Sequence, residues 1–126
     1  MHQIHDSKEN YLESIYALRE KTDIVRSVDI ARFLDVSKAS VSIAMRKLRD
    51  ENYIEMAQDG AITLLPAGEE IAEKTYNRHI LIRALLVHAG VNKETANSDA
   101  CKIEHAISSE SYEALKKYAE KIGLRS

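Results

Sequence analysis

Cys101, Glu104 and His105 stand at i, i+3 and i+4 in a stretch that reads as helix, which puts a thiol, a carboxylate and an imidazole on one side of it. All three bind divalent transition metals, and close together they make a partial coordination sphere. Three donors on one helix rarely complete one. Further donors stand in Asn10 and Glu13, which share a face at i, i+3, and in His79, midway along another helical stretch. Each residue also has a simpler use. Glu13 can be a solvated helix residue, Asn10 a polar contact near a cap, His79 a hydrogen-bonded interhelical histidine, and Cys101 a small buried apolar group. Residue chemistry alone leaves both uses open. His2 and His5, near the terminus, read as solvated.

A second constellation concerns nucleic acid. Between Ser37 and Arg49 stand Lys38, Arg46, Lys47 and Arg49 with no acidic residue, although residues 1–64 as a whole carry nine basic and eleven acidic side chains. Phosphate contact needs a local basic patch, so the local count outweighs the net charge of −2. On a helical wheel Val41, Ala44, Met45 and Leu48 share one arc. Ala39, Ile43 and Arg46 lie opposite, flanked by Ser40, Ser42 and Lys47. The outer arc, with Ser37 and Lys38 at its start, suits a helix entering the major groove. Short side chains permit close approach, hydroxyls and arginine reach base edges or phosphate, and Ile43 can meet a thymine methyl. The plainer reading is an amphipathic helix with a solvated basic face.

The elements that must position these groups are mainly helical. A first helix is expected from Asp6, capped by its carboxylate with Glu9 in return, to near Lys21. Two short helices joined by a tight corner follow, with Ser27 and Ser37 as N-caps and apolar faces of Val28, Ala31, Leu34 and of Val41, Ala44, Met45, Leu48. Tyr53 to Met56 and Ala61 to Leu64 read as strands around Asp59-Gly60, a hairpin signal. Helix, corner, basic helix and hairpin is the order of a winged helix-turn-helix. Pro66 then opens a long helix running toward Gly90. A fifth helix runs from Asn92 to about Ile107, burying Ala96, Ile103 and Ile107, and a sixth from Ser109, as its cap, to Gly123. The expected division is a DNA-binding domain over 1–64 and a helical metal-binding and dimerisation domain over 65–126.

Composition agrees with a soluble protein. The 126 residues are 44% apolar with one cysteine, so a core is affordable and an internal disulfide is excluded, which favours a cytoplasmic location. No apolar run reaches membrane-spanning length, and the amino terminus lacks the apolar stretch of a signal peptide. Leu81, Leu85, Leu86, Ile107, Leu115 and Ile122 are more apolar groups than one thin helical lobe can hide, so a second copy is expected to cover some of them.

The run Ile30-Ala-Arg-Phe-Leu-Asp-Val-Ser-Lys-Ala-Ser-Val-Ser, the wing ending in Leu64-Leu-Pro-Ala-Gly, and Cys101-Lys-Ile-Glu-His together resemble the diphtheria-toxin-repressor family of iron- and manganese-responsive regulators. The resemblance covers residues 7 to 123. It implies a winged helix-turn-helix, a dimerisation lobe, and a divalent metal as corepressor, Fe(II) or Mn(II) first, with Zn(II), Co(II) or Ni(II) as further possibilities. By position Asn10, Cys101, Glu104 and His105 match one family metal site, while Glu13 and His79 match ligands of the manganese-type arrangement. The chain ends where larger iron-type members continue into an SH3-like domain, so in length it is closer to the manganese type.

Three positions depart from the family pattern. Asn10 stands where methionine or aspartate is usual. Arg83 and Asn97 replace a glutamate and a histidine of the iron branch's ancillary site, which implies that this site is absent in its usual form. Cys101 is the iron-branch choice, a softer donor than the glutamate of manganese sensors. The function implied is a homodimeric repressor that binds a palindromic DNA operator when metal joins the first helix to the dimerisation lobe. Two other classes remain as alternatives: a metal-independent winged-helix regulator or adaptor, and a metal hydrolase with Glu13 as base. The hydrolase is the poorer, because no oxyanion-stabilising loop accompanies the ligands.

Overall fold

The computed structural model describes the backbone of residues 4–124 and the side chains of residues 7–124. His2 and the side chains of His5 and Asp6 lie outside the described residues. The order is α1 (Ile4–Leu18), α2 (Ser27–Leu34), α3 (Lys38–Asp50), β1 (Ile54–Met56), β2 (Ile62–Leu64), α4 (Pro66–His88), α5 (Lys93–Ala106) and α6 (Ser109–Lys121). The chain divides into two compact units between Lys74 and Thr75, inside α4. That is ten residues beyond the expected boundary, because the first turns of α4 pack with the first unit: Ala72 is fully buried in its core, with Ile71 against it.

In the first unit, Leu12 and Ile15 of α1, Ile30 and Ala31 of α2, Val41, Met45 and Leu48 of α3, and Ile54 and Ile62 of the strands form one core. The strands are antiparallel, pairing Ile54 with Leu64 and Met56 with Ile62. Gly60 turns the hairpin at φ 89°, and the amide of Ala61 donates to Asp59 Oδ1 at 3.1 Å. Sequence periodicity misses one pairing, the bridge of Val25 to Ile62, where the Ile62 amide donates to the Val25 carbonyl at 2.8 Å. Arg26 Nε donates to the Asp59 carbonyl at 3.2 Å, tying the wing to the start of α2. Gly68 is required by close approach, since a Cβ there would stand 2.1 Å from the Tyr53 carbonyl oxygen.

Several local expectations are corrected. The backbone is already helical at Ile4, so Asp6 lies within α1 and is not its cap. Ser27 is the first residue of α2, whose cap position is Arg26; the Arg26 amide donates to Asp29 Oδ2 at 2.9 Å. The buried face of α2 is Ile30 and Ala31, while Val28 is exposed. The corner after α2 closes through Asp35 in the left-handed region at φ 56°, a conformation aspartate tolerates better than most residues. Ser37 does cap α3, accepting from the Ser40 amide at 3.1 Å.

The second unit contains the remainder of α4 with α5 and α6. Asn92 caps α5 by accepting from the Glu94 amide at 2.8 Å. Ser108, not Ser109, caps α6, accepting from the Ser111 amide at 3.0 Å. Ser109 Oγ instead takes a hydrogen bond from Arg78, at 3.2 Å. The face of α5 turned inward is Ala96, Ala100 and Glu104, and Ile103 is exposed. The alanine spacing of i, i+4 carries inward to the carboxylate at i+8, so the expected isoleucine stripe is not the buried one. Among the described residues, no helix is long and apolar enough to cross a membrane.

Candidate metal centre and nucleic-acid interface

The register of α5 decides the metal centre. Glu104 is turned inward, with its side chain fully buried, and its Oε1 lies 2.8 Å from Nδ1 of His79 on α4. Cys101, three residues earlier and exposed, brings its Sγ to 3.8 Å from the same nitrogen. Ligand atoms of His79, Cys101 and Glu104 all lie within 4.8 Å of one another, and among the described residues this is the group of potential metal donors so assembled. A thiol, an imidazole and a carboxylate converging at that spacing fit a divalent transition ion. Burial adds to the fit. A fully desolvated carboxylate costs several kcal/mol unless a positive charge lies close, and a bound cation supplies one.

The sequence-matched donors divide as follows. His79, Cys101 and Glu104 are brought together. His105 is half-buried on α5 but does not join the three within 4.8 Å. Asn10 and Glu13 are half-buried on α1, in the first unit. Arg83 is exposed and lines a cleft of about 390 Å³ with His88 and Lys93, to which none of the three clustered donors contributes.

Two residues that support His79 escaped identification as such from sequence. Arg78 is buried and donates to the Ile107 carbonyl at 2.7 Å, and its guanidinium lies 5.5 Å from the centre of the Tyr112 ring. It pins α4 to the α5–α6 connection one residue from His79. Asn97 places Oδ1 2.8 Å from His79 Nε2. Its spacing to Cys101 was the available signal: Asn97, Cys101 and Glu104 stand at i, i+4 and i+7 on one helix.

The outer surface of α3 is open as its sequence predicts. Ser37, Lys38, Ala39, Ser40, Ser42, Ile43, Arg46 and Lys47 are all exposed, and Ile43 has 63% of its surface accessible. The opposite face is anchored by Val41 and Met45, both fully buried. The exposed arc thus lies on a helix whose first turn is capped by Ser37.

Comparison with known proteins decides the family. The iron-dependent repressor N-terminal DNA-binding domain matches residues 3–62, and the iron-dependent repressor metal-binding and dimerisation domain matches residues 65–123. The chain belongs to the iron-dependent repressor family. Membership makes it a metal-dependent transcriptional regulator with a DNA-binding first part and a metal-binding, dimerising second part. The family consists of regulators, not enzymes. Relatives include a helix-turn-helix transcriptional regulator of Methanocaldococcus jannaschii, 35% identical over 91% of this chain and 94% of its own. The regulator MntR of Escherichia coli is 31% identical over 93% of this chain and 76% of its own. A manganese-dependent transcriptional repressor solved with manganese superposes at a TM-score of 0.80, with 27% identity over 94% of this chain and 53% of that one. IdeR of T. acidophilum superposes at 0.78, with 26% identity over 92% and 54%. The chain spans about half the length of these two repressor structures.

Proposed function

We propose that this member of the iron-dependent repressor family acts in the cytoplasm as a homodimeric repressor of metal-uptake genes, gripping a palindromic operator when Fe(II) or Mn(II) is bound at His79, Cys101 and Glu104. The observation that carries the reading is the convergence of those three side chains within 4.8 Å, on a chain whose other half is a DNA-binding domain. Asn10, Glu13 and His105 are retained as further donors on their sequence match. The functional boundary is kept near residue 65, where the two family matches meet.

A bound divalent ion supplies positive charge to the buried carboxylate and a common centre for the donors. The chain's own residues do the rest. Glu104 offers a desolvated carboxylate from α5, His79 an imidazole from α4, and Cys101 a thiolate at the open side. Metal affinity becomes DNA affinity to the extent that the DNA-gripping geometry binds metal better, a coupling of about 1–3 kcal/mol per linked event. On the DNA side, Lys38 and Lys47 serve phosphate, Ser37 with Ser40, Ser42 and Arg46 serve phosphate or base edges, and Ala39 with Ile43 serve apolar contact in the groove. Catalysis has no part in this reading.

The test is electrophoretic mobility shift of operator DNA with metal and with chelator. Glu104→Ala and His79→Ala are expected to lose the metal-induced shift while keeping the weak chelator-state binding. An undiminished metal response in both variants would favour the metal-independent regulator instead.

A further inference from the structure

The two ring nitrogens of His79 have different neighbours. Nδ1 faces Glu104 Oε1 at 2.8 Å and Cys101 Sγ at 3.8 Å, whereas Nε2 faces Asn97 Oδ1 at 2.8 Å. An imidazole ligates through the lone pair of one nitrogen, and the hydrogen bond made by the other decides which nitrogen that is. An amide oxygen accepts and does not donate. It therefore favours an N–H on Nε2; the Glu104 carboxylate is likewise an acceptor at Nδ1, so Nδ1 offers its lone pair only where a cation takes the place of the proton between them.

We propose that Asn97 is a positioning residue for the metal centre: its Oδ1 holds the Nε2–H of His79, so that Nδ1 presents its lone pair to the space shared with Cys101 and Glu104. The inference rests on the reading of those three as metal donors. Its geometry is economical, because Asn97, Cys101 and Glu104 lie along one face of α5 at i, i+4 and i+7. The helix that carries two donors also carries the group that orients the third. Ring rotation is restrained from both sides, by an amide oxygen at Nε2 and a buried carboxylate at Nδ1. The ring itself is mostly buried, with 15% of the side chain exposed.

The proposal is tested on the full-length protein with Co(II) as the probe, titrated anaerobically and followed by its visible absorption. Asn97→Leu removes the acceptor at nearly constant size, and Asn97→Asp retains an acceptor oxygen at the same reach. Loss of an outer hydrogen-bond partner typically costs about 10–100-fold in metal affinity, and that is the weakening expected for Asn97→Leu. Asn97→Asp is expected to keep most of the affinity. Because Asn97 is exposed, both variants should melt like wild type in chelator. Long-range ¹H–¹⁵N correlation on the Zn(II)-loaded wild-type protein is expected to show His79 protonated at Nε2. Superimposable Co(II) curves for wild type and Asn97→Leu, or a proton on Nδ1, would overturn the proposal while leaving the metal centre standing. A wild-type protein that takes up no Co(II) would overturn both.

Discussion

Glu104 illustrates what the residue scale conceals from sequence. Its spacing to Cys101 marks it as a donor, but nothing in the spacing says that it points inward with Ala96 and Ala100 while Ile103 faces out. Small alanines rank low as core markers against isoleucine, so the orientation of α5 was read a few tens of degrees off. Spacing put Cys101 and Glu104 on one side of α5 and offered His79 from another helix, and these three side chains do converge; that His105 lies outside the group was not legible. Cys101 is exposed, and in the proposed centre it is the soft donor. Cys101→Asp replaces a soft donor by a hard one and is expected to move selectivity toward Mn(II) and away from Zn(II) and Co(II). Competitive titration with a metal indicator checks it, and an unchanged order of metals would remove Cys101 from the ligand set.

At the scale of elements, α3 was readable because two independent signals coincide on it. Its apolar arc of Val41, Met45 and Leu48 is buried as expected, and its acid-free outer arc is exposed. Arg46→Ala is expected to weaken operator binding by about 1–3 kcal/mol if it reads a base edge, with loss of discrimination at one position. A uniform loss over all sequences, with a shallower salt dependence, would place Arg46 on phosphate instead; anisotropy at several salt concentrations separates the two. Helix ends were less legible. The caps of α2 and α6 each fall one residue before the expected serine, at Arg26 and Ser108, since a cap depends on backbone angles that residue type alone does not fix.

Long-range ion pairs were invisible to pattern. Arg19, just beyond the end of α1, donates to both carboxylate oxygens of Glu69 in α4, one of them at 2.6 Å. Those hydrogen bonds hold the Glu69 carboxyl below its ordinary pKa against the opposing effect of burial. A carboxylate with a depressed folded-state pKa adds stability above its unfolded value, and that stability is lost as pH falls through the folded one. Both side chains are about a third or more exposed, so solvent screens the pair and the contribution is small. Urea midpoints of wild type and Glu69→Gln should differ near neutral pH and converge once pH falls below the usual carboxylate range, about pH 4. A difference that persists in acid would assign the effect to packing.

At the scale of the whole molecule, the two-part organisation follows from the order of motifs, and both family domains are present. The compact units divide within α4, ten residues beyond the expected functional boundary, because a long helix shows no break in sequence where its packing partners change. Ile103 of α5 with Leu115, Tyr118 and Ile122 of α6 or its end expose large apolar surface, Tyr118 at 55%. That is surface a dimerisation domain has reason to keep. Tyr118→Asp is expected to shift the protein toward monomer in sedimentation velocity, and an undisturbed dimer would locate the interface elsewhere.

The central claim, that metal occupancy sets DNA affinity, is tested most directly by anaerobic fluorescence anisotropy at fixed salt. Labelled DNA from upstream of the protein's own gene is titrated with protein in chelator, Mn(II) or Fe(II). The account predicts tight, saturable binding with metal and weak binding in chelator, and equally tight binding in chelator would contradict it.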